Sequence, residues 1–219
     1  MKAYYDHAGI QIYHGDCREI LPQLNVWADC VITDPVWPNA KPELAGAGDP
    51  YSLLREAAAF FPETASRVVI HLGQTSDPRI LCAIPERWPF LRVCWLAFHR
   101  PIRLGRILYG GDVAYVFGTA PKSRKGGRVL SGQTAAKYLG RVDAHPCPRT
   151  AEHLDWLVRF YADGMILDPF CGRGTTLSAA LKAKYPAIGI EIKEEFCEIA
   201  AKRLSQEVFN FSEFAEPRT

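Results

Sequence analysis

The chain has 219 residues, of which 48% are hydrophobic, enough to bury one substantial core and too few for two independent domains. Lys and Arg number 26 against 24 Asp and Glu, so the net charge of +2 excludes a global polyanion-binding field and leaves nucleic-acid contact to local clusters. The seven cysteines are widely spaced and form no C-x-x-C pair, so no metal centre or redox pair is expected, and free thiols in a reducing cytoplasm are.

The N-terminal stretch, with Lys2, Asp6 and His7, is too polar for a signal peptide, and 18 apolar residues never run together. A soluble, cytoplasmic, non-membrane chain is expected. Short apolar, β-branched runs begin at Ile10, Cys30, Arg67, Arg92, Asp112, Met165 and Ala187 and predict buried strands. Helical patterns over Leu53 to Phe61, Ala151 to Tyr161 and Thr175 to Lys184 alternate with them. The order predicts an α/β fold with a mostly parallel sheet covered on both faces. Phe196, Ile199, Ala200, Leu204 and Val208 make one more apolar helical stripe, for which a core-facing helix is a sufficient account.

Two segments break the alternation. Pro38 to Pro50, rich in Pro, Gly and Ala, reads as a loop and a candidate lid. Pro121 to Arg141 carries Lys122, Arg124, Lys125, Arg128, Lys137 and Arg141 with no acidic residue, a pattern suited to phosphate contacts, against the plainer alternative of a solvated loop. The tail beyond Glu213 is expected to be loose. A single domain over residues 1–219 is expected, with residues 119–144 a short basic insertion.

Asp168-Pro169-Phe170-Cys171-Gly172-Arg173-Gly174-Thr175-Thr176 lies between a predicted strand and a predicted helix. Glycines there let a ligand lie against the backbone, and the helix N-terminus offers amides to a carboxylate such as that of a methionine moiety. Glu191, at the end of the next strand, is placed to accept hydrogen bonds from ribose hydroxyls. A dinucleotide site normally has a third Gly or Ala where the helix meets the strand; Leu177 stands there, which favours S-adenosylmethionine, a cofactor without a pyrophosphate.

The strand at Cys30 ends in Asp34-Pro35-Val36-Trp37-Pro38. An exocyclic base amine is a poor nucleophile because its lone pair is delocalised into the ring. Two acceptors, the Asp34 carboxylate and the Pro35 carbonyl, would hold the amine nearly tetrahedral and aim the lone pair at a methyl donor. A base extruded from a duplex needs an aromatic face, which Trp37 can offer. The plainer alternative is a turn in which Asp34 caps a helix and Trp37 fills the core.

Taken together, HGDC at His14, TDPVWP at Thr33, HPCPRT at His145, LDPFCGRGTT at Leu167 and IGIEI at Ile188 resemble the β-type (permuted) DNA amino-methyltransferases, specific for adenine N6 or cytosine N4. The resemblance covers most of the chain and is most specific from His145 to Leu204. It implies a seven-stranded Rossmann-like sheet in circularly permuted motif order, with the cofactor turn and the catalytic turn on adjacent strands. It implies S-adenosyl-L-methionine held by Asp16, Cys17, Asp168, Phe170, Gly172, Gly174, Thr175 and Glu191, with Asp16 near the adenine, Glu191 on the ribose and the turn from Phe170 to Gly174 beneath the methionine moiety. It implies Asp34, Pro35 and Trp37 as the catalytic set.

The sequence departs from the family in having Val36 for the second proline of the catalytic motif and Trp37 for the usual Tyr, the latter similar to RNA N6-adenosine methyltransferases. Cys147-Pro148-Arg149 replaces a usual Lys-Pro, and little chain is available for target recognition. Asp34 favours adenine over cytosine, whose N4 enzymes usually start the motif with Ser. Pro146-Cys147 does not make a cytosine carbon-5 enzyme, because that thiolate chemistry would leave the carboxylate motif without a task. The partner expected is DNA, ahead of RNA, in a bacterial or phage-encoded protein compatible with a homodimer. The rival from another class is a catalytically silent nucleic-acid-binding relative, for which Val36 argues.

Overall fold

The structure, a computed structural model, describes residues 1–40, 42–122 and 151–212, with the side chains of all of these except 99–100, 102, 104 and 207–212. Among the described residues, eight strands form one sheet: β1 (Tyr5–His7), β2 (Ile10–His14), β3 (Cys30–Thr33), β4 (Arg67–Gly73), β5 (Phe90–Leu104), β6 (Ile107–Gly118), β7 (Ile166–Asp168) and β8 (Ala187–Glu191). Their spatial order is β1-β2-β8-β7-β3-β4-β6-β5. From β2 to β4 all neighbours are parallel, whereas β1, β6 and β5 each run antiparallel to the strand they join. The mostly parallel α/β sheet is as expected. At its edge β1 turns back on β2 through Ala8 and Gly9, both at positive φ.

The helices are α1 (Cys17–Leu24), α2 (Pro50–Ala59), α3 (Ala151–Tyr161), α4 (Thr175–Lys182) and α5 (Glu194–Ser212). Strand alternation divides the core between the two faces. Ile10, Ile12, Cys30, Ile32, Val69, Ala114 and Val116 pack with Leu157 of α3, Leu177 of α4 and Ala200 of α5. Val31, Val68, Ile70, Leu72, Ile188 and Ile190 pack with Ile20 of α1 and Leu54 and Ala57 of α2. Covering both faces is what permits the parallel strands to be apolar throughout.

Buried Arg67, at the start of β4, ties the far end of the sheet together. Its guanidinium donates to the Thr119 carbonyl at 2.9 Å, the Ala120 carbonyl at 3.1 Å, the Tyr161 carbonyl and the Asp163 carboxylate at 2.8 Å. Multiple acceptors are the condition on which a charge can be buried at all. Among the described residues, no helix is long and apolar enough to cross a membrane.

Chain order fixes where a ligand can sit. From β7 the chain moves through α4 to β8 on one side, and from β3 it moves through α2 to β4 on the other. The crevice beyond the carboxyl ends of β7 and β3 is therefore a topological switch point, where open parallel sheets bind ligands.

Candidate active site

Two turns from distant parts of the chain meet at that switch point. β3 and β7 are parallel neighbours, with Cys30 opposite Ile166 and Val31 opposite Leu167. The turn at Asp34 and the turn at Asp168 thus leave adjacent strands side by side, as expected. They open into one cleft of about 1170 Å³, solvent-open space included. The cleft is lined from the N-terminal part by Asp16, Cys17, Asp34, Val36 and Trp37 and from the C-terminal part by Asp168, Phe170, Gly172, Thr175 and Glu191. Pro35 is buried between its neighbours. Gly174, also expected here, is the N-cap of α4.

The junction is held by a side chain given no role in the sequence reading. Thr33 Oγ1 donates to Asp168 Oδ1 at 2.6 Å, and the Phe170 amide donates to the same oxygen at 3.2 Å. Burial pushes the Asp168 carboxyl up to about 6, and nearby Asp34 adds to the rise, while the bonds from Thr33, Thr176 and Phe170 oppose it. The residue therefore orders the turn from inside. Its 2% exposure leaves little of it for a ligand.

Glycine is required in the turn at one position above all. Gly174 caps α4 at φ +76°, and a Cβ there would stand 2.9 Å from the Ala200 Cβ. No side chain caps α4, so its first amides remain available to an anion. Glu191 accepts from the Gly172 amide at 2.9 Å and from the Lys193 amide at 2.8 Å. Burial raises its pKa, and the backbone bonds from Lys193, Gly172 and Ile192 oppose the rise.

Asp16 caps α1 by accepting from the Arg18 amide at 2.9 Å, and the Arg18 guanidinium grips the same carboxylate at 2.6 Å while reaching Glu56 at 2.9 Å. That hydrogen bonding holds the Asp16 carboxyl below its ordinary range. Gly15 donates its amide to the Glu191 carbonyl at 2.9 Å and so registers the Asp16 turn against the end of β8.

Within the Pro38 to Pro50 stretch, the described residues 38–40 and 42–48 make turns and irregular chain, and the Asp49 side chain caps α2. Leu44, Ala45 and Gly46 form one wall of the cleft. Trp37 is half-buried, packs against the core and faces the cleft. Phe196 of the C-terminal stripe is core and cleft lining at once. The thiols beside the cleft are held protonated: burial raises Cys17 to about 12 and lifts Cys171 as well, which removes them as nucleophiles.

Sequence reading missed Thr33, Arg18 and Lys193; the Leu44–Gly46 wall falls within the Pro38 to Pro50 candidate lid. Thr33 was legible only as the last residue of a strand, and Arg18 only as the second residue after Asp16. Of the basic cluster, Lys122 is described, its amide donating to Asp163 at 3.2 Å. Arg124, Lys125, Arg128, Lys137 and Arg141, and the stretch from His145 to Arg149, lie outside the described residues, as do the tail beyond Glu213 and most of the basic insertion.

Residues 103–202 match the family model described as DNA methylase, of the N6/N4 methyltransferases. The chain is 39% identical over 82 residues to the type II methyltransferase M.ScaI of Streptomyces caespitosus, a stretch covering 36% of this chain and 26% of that protein. The fold is similar to that of M1.HpyAVI in a complex with SAM, with a TM-score of 0.65 and 23% identity over 89% of this chain and 99% of that one. It is also similar to the PvuII DNA methyltransferase described as cytosine-N4-specific, with a TM-score of 0.60 and 15% identity over 93% of this chain and 89% of that one.

Proposed function

We propose that the chain is a member of the N6/N4 DNA methylase family whose model residues 103–202 match, and that it transfers a methyl group from S-adenosyl-L-methionine to the exocyclic N6 amine of adenine in DNA. The observation that carries the proposal is the meeting, in one cleft, of the Asp34 turn and the uncapped glycine turn. The cleft fits the cofactor. Free amides at the start of α4 suit a carboxylate, Glu191 suits ribose hydroxyls, and Phe170, Ile190 and Phe196 give apolar walls for a purine. When bound, the cofactor supplies an electrophilic methyl on a sulfonium centre.

Each residue then has a task. Asp34 and the Pro35 carbonyl accept the two amine hydrogens and orient the nitrogen lone pair. The Asp34 carboxylate stabilises the positive charge that develops on that nitrogen. Trp37 offers a face for the extruded base, and Val36 leaves this turn less rigid than a second proline would. Asp16, with Cys17 beside it, borders the adenine end of the cofactor, and Arg18 keeps its carboxylate ionised. Gly172, Gly174 and Thr175 support the methionine end, and Asp168 sets the turn. Lys122, Arg124, Lys125, Arg128, Lys137 and Arg141 supply phosphate contacts from a single-domain chain, so binding should weaken steeply with salt.

Asp34 favours adenine over cytosine N4, and the test reads the choice directly. Purified protein is incubated with labelled cofactor and either DNA or RNA, the product is digested to nucleosides, and the methylated nucleoside is identified by mass. N6-methyl-2′-deoxyadenosine from DNA is expected; N4-methyl-2′-deoxycytidine, or a methylated ribonucleoside from RNA, would overturn the substrate assignment. Asp34→Ala should lower turnover by at least about a hundredfold while cofactor affinity stays within a few-fold of the parent. A variant that methylates at the parent rate removes Asp34 from the mechanism, and a parent that binds cofactor and DNA without turnover makes the chain a silent binder.

A further inference from the structure

Away from the cleft, three ionisable side chains converge where β4, β6 and α3 pack. His71 of β4, Asp112 of β6 and His153 of α3 are all buried, and one ligand atom from each lies within 4.8 Å of the other two. Strand parity puts them there: Asp112 stands opposite Gly73 in the β4–β6 ladder, two positions beyond His71, so both side chains rise on the face that α3 covers. We infer that these residues form a binding site for a divalent first-row transition-metal ion, with His71 Nε2, Asp112 Oδ2 and His153 Nδ1 as its ligands.

The first support is tautomeric. His153 Nε2 lies 3.3 Å from the Ala97 carbonyl, which can only accept, so Nε2 carries the hydrogen. Nδ1 faces Asp112 Oδ2, 3.6 Å away, and is buried with no hydrogen-bond partner among the described residues. At 3.6 Å the separation is longer than a good hydrogen bond. A histidine anchored through one nitrogen to a backbone carbonyl, with the other nitrogen free, is the arrangement metal-ligating histidines adopt.

The second support is spacing. His71 Nε2 lies 3.5 Å from the same Asp112 oxygen. An ion about 2.1 Å from each of its ligands sets neighbouring ligand atoms about 3.4 Å apart in a tetrahedral shell. Both measured separations agree with that edge and exceed a good hydrogen bond. The Phe98 ring stacks on His153 at 5.6 Å between centroids and fixes its plane. Two imidazoles and one carboxylate suit zinc, cobalt or iron(II) and disfavour magnesium or calcium. The ion would clamp α3, whose Leu154 lines the cleft, to β4 and β6.

Metal content of the full chain purified from zinc-supplemented medium, after gel filtration to remove loose ions, is expected at about one equivalent. The chelator-stripped chain reloaded with Co²⁺ should show the visible d–d bands of a nitrogen and oxygen shell, and at a hundredfold excess of metal over Kd its Tm should rise by about 5–10 °C. His153→Gln should reduce bound metal below about a tenth of an equivalent while its circular dichroism stays that of the parent; should the variant not fold, the parent measurements decide alone. A parent chain that binds no Co²⁺ overturns the inference. So does a cobalt spectrum dominated by thiolate charge transfer, which puts the ion on cysteine, or nitrogen chemical shifts showing His153 doubly protonated in the metal-free and metal-treated chain alike.

Discussion

Thr33→Val is the perturbation that tests how the two turns are joined. Valine keeps the branched shape in a site with no exposed surface and removes only the hydroxyl that donates to Asp168 at 2.6 Å. A hydrogen bond to a buried carboxylate is worth about 1.5–3 kcal/mol. At about 2–4 °C per kcal/mol for a domain of this size, a loss near 2 kcal/mol lowers Tm by about 4–8 °C. The pH dependence separates this cause from a packing defect. In the folded chain Asp168 titrates near 6, above its ordinary value, so its ionised form at neutral pH weakens the fold and the cost is relieved as pH falls through about 6. Losing the Thr33 bond raises that pKa further. The penalty of the variant is therefore full above the variant's own, higher pKa and shrinks as pH falls from there through about 6. Thermal unfolding of parent and variant from pH 5 to 8.5 reads this directly, and a penalty that is absent, or constant across the range, refutes the reasoning.

Other perturbations address the scaffold. Gly189→Ala adds a Cβ 2.7 Å from Leu177 Cδ1 and 2.8 Å from Cys171 Sγ, both buried; overpacking of about 1–3 kcal/mol should lower Tm, and Leu177→Ala in the same chain should recover part of the loss relative to additivity. Asp163→Ala leaves the Arg67 guanidinium, 2.8 Å away, buried without its counter-charge, and urea unfolding should show a loss of about 3–5 kcal/mol. Arg18→Gln frees Asp16 from the contact that holds its carboxyl low, so the Asp16 pKa should rise toward its ordinary range, as carbon-detected titration would record.

The sheet was largely legible because its strands are buried on both faces and read as apolar β-branched runs, from Cys30 to Thr33 and from Ala187 to Glu191. What escaped was locally quiet. β1 has only three residues and one half-buried position, so neither composition nor periodicity marks it. α1 contains Pro22, which ordinarily argues against a helix, and is held by the Asp16 cap and the burial of Ile20 and Leu21 instead. The β5–β6 arm extends past the apolar core of both strands, where exposed Ile107 and Leu108 give no alternation.

In the site, residues that define motifs were legible and residues that connect motifs were not. Asp34 and Asp168 announce themselves by neighbouring prolines and glycines, but the Thr33 bond between them spans 135 positions and has no local signature. His71, Asp112 and His153 are dispersed in the same way, and cysteine spacing carries no information about them. Leu177 shows how a local rule can mislead. A small residue in the helix is the usual means of bringing it close to the strand, and Leu177 stands in that place. Here the small residue is Gly189 on β8, and Leu177 and Cys171 fill the space its missing side chain leaves. Close packing of α4 on the sheet is preserved with the roles of helix and strand exchanged, so Leu177 carries less weight against a dinucleotide than its position suggests. The discriminating weight falls on Asp34, a carboxylate at the cleft for which dinucleotide binding has no need.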